Sequence, residues 1–176
     1  MSHAIDADHD RRLDRSLVHV GGFGQFMFAV TRVGIGFIFL WAFLDKLFGL
    51  GKSTKKESAW INGGSPTKGY LSSLKGTFAD EFKDIAGEPW ADWLFMIGLA
   101  SLGVALIFGT GMYIAAITGS ILLFLMWLTA LPIATNPFLD DHLIYAFVII
   151  AIAATGAGLR FSLAPLWRRF MPKVLW

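Results

Sequence analysis

Apolar residues in this chain gather into four long runs, separated by stretches where charged and turn-forming residues crowd together. The runs cover about 26–48, 92–108, 111–131 and 141–161, each near the roughly 20 apolar residues that a helix needs to cross a bilayer. Lipid offers the backbone no hydrogen-bond partner, so segments of this kind are helical. The pattern therefore predicts an all-α chain, an integral membrane four-helix bundle. A polar tail (1–25) precedes the membrane domain (26–161), and a basic amphipathic tail (162–176) follows it.

Small residues recur at or near four-residue spacing in three of the runs: Ser101, Ala105, Gly109; Gly111, Ala115, Gly119; and Ala146, Ala154, Gly158. Such stripes let helix backbones approach closely, which favours a compact bundle over isolated spans. The second and third runs are joined only by Gly109-Thr110-Gly111, so they are antiparallel neighbours.

The first connection is long. A basic turn (Lys52, Lys55, Lys56) leads into Trp60–Gly69, and then into a stretch with Leu71, Leu74, Phe78, Phe82 and Ile85 at spacings of three and four. Lys75, Asp80, Lys83 and Asp84 lie between them, the pattern of an amphipathic helix lying on the membrane interface. Trp90 and Trp93 mark re-entry at headgroup level. Four spans bring this connection and the segment Asn136-Pro137-Phe138-Leu139-Asp140-Asp141-His142 to one face, with both termini on the other. Basic residues divide almost evenly between the two faces. The tail Leu166-Trp167-Arg168-Arg169-Phe170 reads as an interfacial anchor, which orients both termini towards the cytoplasm.

Composition narrows the function classes. Charged residues make up 16% of the chain and hydrophobic ones 55%, against about 25% charged in soluble domains. A net charge of +2 argues against a nucleic-acid partner. The absence of cysteine removes thiol redox and iron–sulfur ligation by this chain. Asp6, Asp8, Asp10 and Asp14 interrupt the N-terminal region before any apolar core, unlike a signal peptide.

Candidate chemistry concentrates on the face that holds the Asn136–His142 knot. Ionisable groups at membrane depth are costly and often functional. Pro137 ends the preceding helix and Asp140 is a natural N-cap for the next, with Asp141 complementing the positive helix end. His142 and Tyr145 share a helical face; beside two acids, the histidine either relays protons near neutral pH or is a satisfied interfacial side chain. Asp45 closes the first span on the same face, where an acid opposes the helix dipole, so an inward functional role stands beside a structural one. Lys46 next to it snorkels to the headgroups. Arg32, near the opposite face, has a structural role in snorkelling or in pairing with a bundle acid or a lipid phosphate, and Gly36 one turn on leaves room for a neighbouring helix. Trp60, Asn62, Ser65 and Thr67 form a lid over the knot or simply shape turns with Gly63, Gly64 and Pro66.

Several motifs lead nowhere. Gly51-Lys52-Ser53 resembles the end of a P-loop, but it lacks the earlier glycine and follows a membrane helix. His3 and His9 with the N-terminal acids read as a solvated tail, so no metal site is expected. No histidine pair sits in facing spans, which argues against a bis-histidine haem.

Arg32-Val33-Gly34-Ile35-Gly36 running through Asp45-Lys46-Leu47, Trp60–Gly69 followed by Tyr70-Leu71, and Asn136–His142 followed by Ile144-Tyr145 form an ordered set. In that set the chain resembles the DoxX/DoxD-type membrane proteins, which include the small subunit of thiosulfate:quinone oxidoreductase. The resemblance implies a four-helix protein of the prokaryotic plasma membrane, acting with partners and linked in some members to quinone or sulfur redox. On that basis Asp45, Asp141, His142 and Tyr145 are the expected catalytic groups. Trp60, Asn62, Asn136, His142 and Tyr145 are the expected quinone contacts, with electrons supplied by a partner subunit. A non-catalytic scaffold or assembly factor is the competing reading, and a small-solute or lipid carrier is weaker because no broken helix or repeat is present.

Overall fold

Residues 20–157 and 159–170 are described by the computed structural model. The polar N-terminal tail with His3 and His9, Gly158 of the third stripe, and Lys173 lie outside the described residues. Among those described the chain is all helical, without strands. It forms α1 (Gly22–Phe48), α2 (Lys68–Ser72), α3 (Ala79–Lys83), α4 (Pro89–Phe108), α5 (Met112–Ala130), α6 (Asp141–Thr155) and α7 (Ala164–Phe170). Single 3-10 turns occur at Lys56–Ser58, Trp60–Asn62 and Leu159–Phe161. Three helices, α1, α4 and α5, are long and apolar enough to cross a membrane.

Local chemistry places the boundaries. α1 begins after Gly21, earlier than the apolar run suggests, which sets Arg32 about 15 Å along its axis. It ends at Gly49, left-handed at φ 65°, whose N–H caps Asp45 O at 2.8 Å. Pro89 occupies the first position of α4, where its missing N–H costs nothing. α5 stops at Ala130, with Pro132 shortly after its end; this, and not Pro137, is the proline that closes the helix. α6 is shorter than the expected 141–161. Gly156 turns left-handed at φ 62°, and the chain continues into the 3-10 turn at Leu159–Phe161.

The expected single amphipathic helix over 70–85 is two one-turn helices, α2 and α3. Between them Gly76 lies against the backbone of Leu131, where any Cβ would collide with the Leu131 carbonyl oxygen. Thr77 N–H donates to that same oxygen at 3.0 Å. A bond to the end of α5 thus replaces helical continuity. The apolar spacing still marks the buried side, since Leu71, Leu74 and Ala79 form a small core with Phe82 and Ile85 against it.

α1 packs along α4 and α5 along α6, with α4 against α5 and α1 touching α6. Their main core contains Ile35, Phe39, Leu99, Leu102, Leu123 and Ile149. The tightest approach joins Gly36 to Leu106 and Ile107, and Gly103 to Leu40. Gly36 meets the expectation for it, but the α4 contact uses Gly103, whereas Ser101 of the expected stripe is exposed. On α6 the buried small residues are Ala146 and Ala153, and Ala154 faces out. Large apolar side chains such as Phe37, Leu94, Ile97 and Ile117 are more than half exposed. Water would not tolerate such a continuous surface; a bilayer does. The chain is a membrane protein.

A Cβ at Gly103 would stand 2.7 Å from the Leu40 nitrogen. Gly103→Leu is therefore expected to cost about 1–3 kcal/mol, as overpacking does, while Ser101→Leu on the outer face stays within about 0.5 kcal/mol. Thermal unfolding in detergent checks this, and equal losses in both variants would contradict the close approach.

Candidate functional site

Among the described residues, three ionisable side chains are buried within the apolar helices, and each is met by groups of this chain other than an opposite charge. Arg32 is fully buried on α1. Its Nη1 donates to the Leu106 carbonyl and, at 2.9 Å, to that of Ile107; Nη2 donates to Phe161 O at 2.9 Å. The last turn of α4 leaves carbonyls without helical donors. Here the N–H groups of Gly109 and Thr110 take Ala105 O, Arg32 takes the next two, and Leu163 N–H takes Phe108 O. A cation at this negative helix end is favoured by the dipole as well. The expected structural role is what the geometry provides, but the partner is backbone and not a bundle acid.

Asp45 sits in the last turn of α1 and is 1% exposed. Its carboxylate accepts from the N–H groups of Lys52 (3.1 Å), Ser53 (2.9 Å) and Thr54 (2.9 Å), and from Ser53 Oγ at 2.7 Å. The unfavourable placement at a helix C-terminus is offset by this ring of donors. Lys46 beside it is half-buried, its ammonium 5.9 Å from the centre of the Phe95 ring.

Asp92, in the first turn of α4, is the buried acid that the sequence pattern did not single out. Its Oδ1 accepts from Ser65 Oγ (2.9 Å), Thr67 N–H (3.0 Å) and Thr67 Oγ1 (2.6 Å). Thr67 Oγ1 in turn accepts from Gly87 N–H at 3.1 Å. The available signal was an acid in the first turn of a span, downstream of a Ser-x-Thr turn; such an acid suits the positive helix end and gathers loop donors. Asp45 and Asp92 together hold residues 52–54 and 65–67 against the ends of α1 and α4.

The knot is built at the same end. Asn136 Oδ1 accepts from Phe138 N–H (3.1 Å) and Leu139 N–H (2.6 Å), and its amide donates to the Leu139 carbonyl. This is an Asx turn, braced by Trp127 Nε1 on Phe138 O at 2.8 Å. Asp140 caps α6 through Oδ1 and Leu143 N–H at 3.1 Å, while its Oδ2 lies 2.6 Å from His142 Nδ1. Asp141 Oδ1 is 3.7 Å from the same nitrogen and its side chain is 70% exposed, against 22% for His142. Orienting Nδ1–H on a carboxylate leaves Nε2 as the reactive nitrogen. Tyr145 follows one turn along the same face, partly packed on the core.

Asp140, Asp141 and His142 each present a ligand atom within 4.8 Å of the others, but the Asp140–His142 bond and the positive helix end both work against a cation there. Trp60 packs edge-on against Trp93 with centroids 4.7 Å apart, and Asn62 donates to Lys56 O at 2.7 Å. Among the described residues, no hydrogen bond or ring contact joins Trp60 or Asn62 to the knot. Of the expected site residues, the structure brings together Asp140, Asp141 and His142, gives Asn136 the turn that presents them, and places Asp45 and Asn62 in loop-holding contacts.

Comparison with known proteins places no relative beside this geometry: no family model matches the chain, and neither a curated protein nor a solved structure matches it.

Asp92→Ala leaves three donors without their acceptor. It is expected to destabilise the fold by about 1–3 kcal/mol and to speed amide exchange across residues 65–68. Asp80→Ala, removing a carboxylate that is 97% exposed, serves as the neutral comparison. Unchanged exchange in the Asp92 variant would contradict the anchoring role.

Proposed function

We propose that this chain is the membrane subunit of an oxidoreductase system, binding quinone and working with a partner that donates electrons. In this reading α1, α4, α5 and α6 make up a four-helix membrane unit, with residues 156–161 completing the α6 crossing. The observation that carries it is the 2.6 Å contact between Asp140 and His142 at the start of α6. A carboxylate-oriented imidazole, partly exposed at the end of an apolar bundle, is suited to passing protons between its two ring nitrogens. The DoxX/DoxD resemblance points to the same class.

His142 and Tyr145 lie on one helical face and fit the carbonyl oxygens of a quinone as hydrogen-bonding groups; Trp60, Asn62 and Asn136 are committed to other contacts and fit less well. A bound quinone supplies two-electron chemistry that consumes protons on reduction. His142 holds a proton at Nδ1 against Asp140 and presents Nε2, and Asp141 stands exposed beside it as the acceptor nearest to water. Asp45, enclosed by four hydrogen bonds, keeps the 52–54 loop in place and stays outside the proton path. The electron donor belongs to the partner, because this chain has neither cysteine nor a recognisable flavin motif. The basic, Trp-containing tail is consistent with both termini on the cytoplasmic side of a prokaryotic plasma membrane.

A scaffold or assembly role is the second reading. The local saturation of Asp45, Asn62 and Asn136 favours it, since those polar groups serve the fold itself.

Quinone extracted from protein purified in mild detergent is expected at near one per chain. His142→Ala, which removes a side chain in contact with Asp140 and Asp141, is expected to abolish quinone-coupled turnover with thermal unfolding unchanged. Full turnover in that variant, or purified protein carrying only bulk phospholipid, would favour the scaffold.

A further inference from the structure

Beyond α1 the chain turns straight back onto the helix end. A Cβ on Gly49 would lie 2.6 Å from Lys56 Cα and 2.7 Å from the Lys55 carbonyl oxygen, so Lys55 and Lys56 touch the close of the span. Asp45 fixes the same loop from inside through the N–H groups of Lys52, Ser53 and Thr54. The 3-10 turn Trp60–Asn62 also packs on α1, and Trp60 meets Trp93 near the start of α4. Indole rings at the end of a membrane helix sit at headgroup level. Residues 50–61 are therefore held at the depth where the helices leave the bilayer.

Two kinds of side chain project from this loop. Leu50 and Ile61 are large, apolar and exposed. Lys52, Lys55 and Lys56 are exposed as well, and among the described residues none of the three forms an ion pair. Asp45 is enclosed by the loop's own donors, and Glu57 is the single acid between Leu50 and Asn62. The 70–85 stretch, whose apolar spacing predicts the interfacial element, differs in both respects. Leu71, Leu74 and Ala79 are buried in a core with Phe82 and Ile85 against it, and Gly76 and Thr77 close onto Leu131. Its apolar side is used largely within the protein, and Lys83 is paired with Asp80. Exposed apolar anchors beside unpaired basic groups let a segment lie in the bilayer surface and favour acidic lipid. Residues 50–61 carry that combination.

We propose that residues 50–61 are the lipid-surface contact of the first connection, with Leu50 and Ile61 set into the acyl boundary and Lys52, Lys55 and Lys56 on the phosphates of acidic phospholipid. Charge complementarity identifies the occupant: three unpaired ammonium groups against the close of a membrane helix meet the phosphate layer, and their alkyl stems reach it from either side of the boundary. The contact uses none of residues 136–145 and stands independently of the quinone reading.

The chain has no cysteine, so a single introduced cysteine takes a nitroxide label cleanly. Full-length Ile61→Cys and Asp80→Cys are labelled in phosphatidylglycerol-containing nanodiscs and read by power-saturation electron paramagnetic resonance with oxygen and a water-soluble nickel chelate. The label at 61 is expected to be lipid-immersed and the label at 80, on an exposed side chain, to be in water. Native mass spectrometry in mild detergent, with phosphatidylglycerol against phosphatidylcholine, is expected to show a preference of at least roughly tenfold for the acidic lipid. Lys52→Gln/Lys55→Gln/Lys56→Gln should remove that preference, whereas Lys68→Gln/Lys75→Gln/Lys83→Gln, which takes the same charge from the same connection, should keep it. His142→Ala should leave both readouts unchanged, which separates this contact from the redox site. A label at 61 in water, or one at 80 in lipid, would overturn the placement. Equal loss in both triple variants would reduce the preference to total charge and overturn the site. Release of phosphatidylglycerol by millimolar inorganic phosphate would assign the lysines to a free ion and overturn the lipid contact. If the first triple variant does not fold, the two labelled chains decide.

Discussion

Lipid supplies no hydrogen bonds, so every polar group carried into an apolar bundle has to be met by the chain itself. The architecture follows from how this constraint is satisfied at three side chains. Arg32 completes the carbonyl end of α4 and ties it to the 3-10 turn beyond α6. Asp45 and Asp92 collect the amides and hydroxyls of the first connection. Each of these charges is met by dipoles of the backbone or by hydroxyls, which are present wherever the chain turns and need no second buried ion. That arrangement avoids the desolvation of a counter-ion, a cost that often cancels the gain from a buried pair.

The consequence is a bundle with two chemically different ends. At the connection end, carboxylates act as acceptors and hold loops; among the described residues, the Asp140–Asp141–His142 group there carries an imidazole oriented by a carboxylate and partly open to the surface. At the terminal end the sign is reversed. The Arg32 guanidinium is buried beside Gly109, and the uncapped start of α5 and the Trp167 ring line a cavity. The Asp140–His142 pair at one end and the Arg32 guanidinium at the other are separated by the length of the bundle.

Close packing sets how rigidly these ends are held. Gly36 and Gly103 bring α1 and α4 near enough that a single added carbon would meet backbone, so the register between Arg32 and the end of α4 leaves little slack. Small residues alone do not define that contact. Ser101 of the four-residue stripe is exposed while Ala105 packs on the core and Gly103 faces α1, a choice left unmarked because hydropathy is nearly uniform around a membrane helix. With apolar residues on every side, no polar face marks which side is outside.

The amino-acid sequence alone determined that this is an all-helical membrane chain, because uninterrupted apolar runs have only one backbone solution in lipid. It also identified Arg32 as structural, Gly36 as a helix contact and Asp140 as a cap, since each follows from charge cost, side-chain size or capping chemistry within a few residues. Tertiary structure alone decided the rest. Asp92 became an anchor because Ser65 and Thr67 reach it across 25 or more residues. The amphipathic stretch broke into α2 and α3 because Gly76 and Thr77 meet the end of α5. Trp60 and Asn62 took partners other than the knot, and the cavity beside Trp167 exists because α7 folds back beneath the α4–α5 turn. Apart from Asn62, whose partner Lys56 is six residues away, the deciding partner is distant along the chain, and local pattern carries no information about which distant groups will meet.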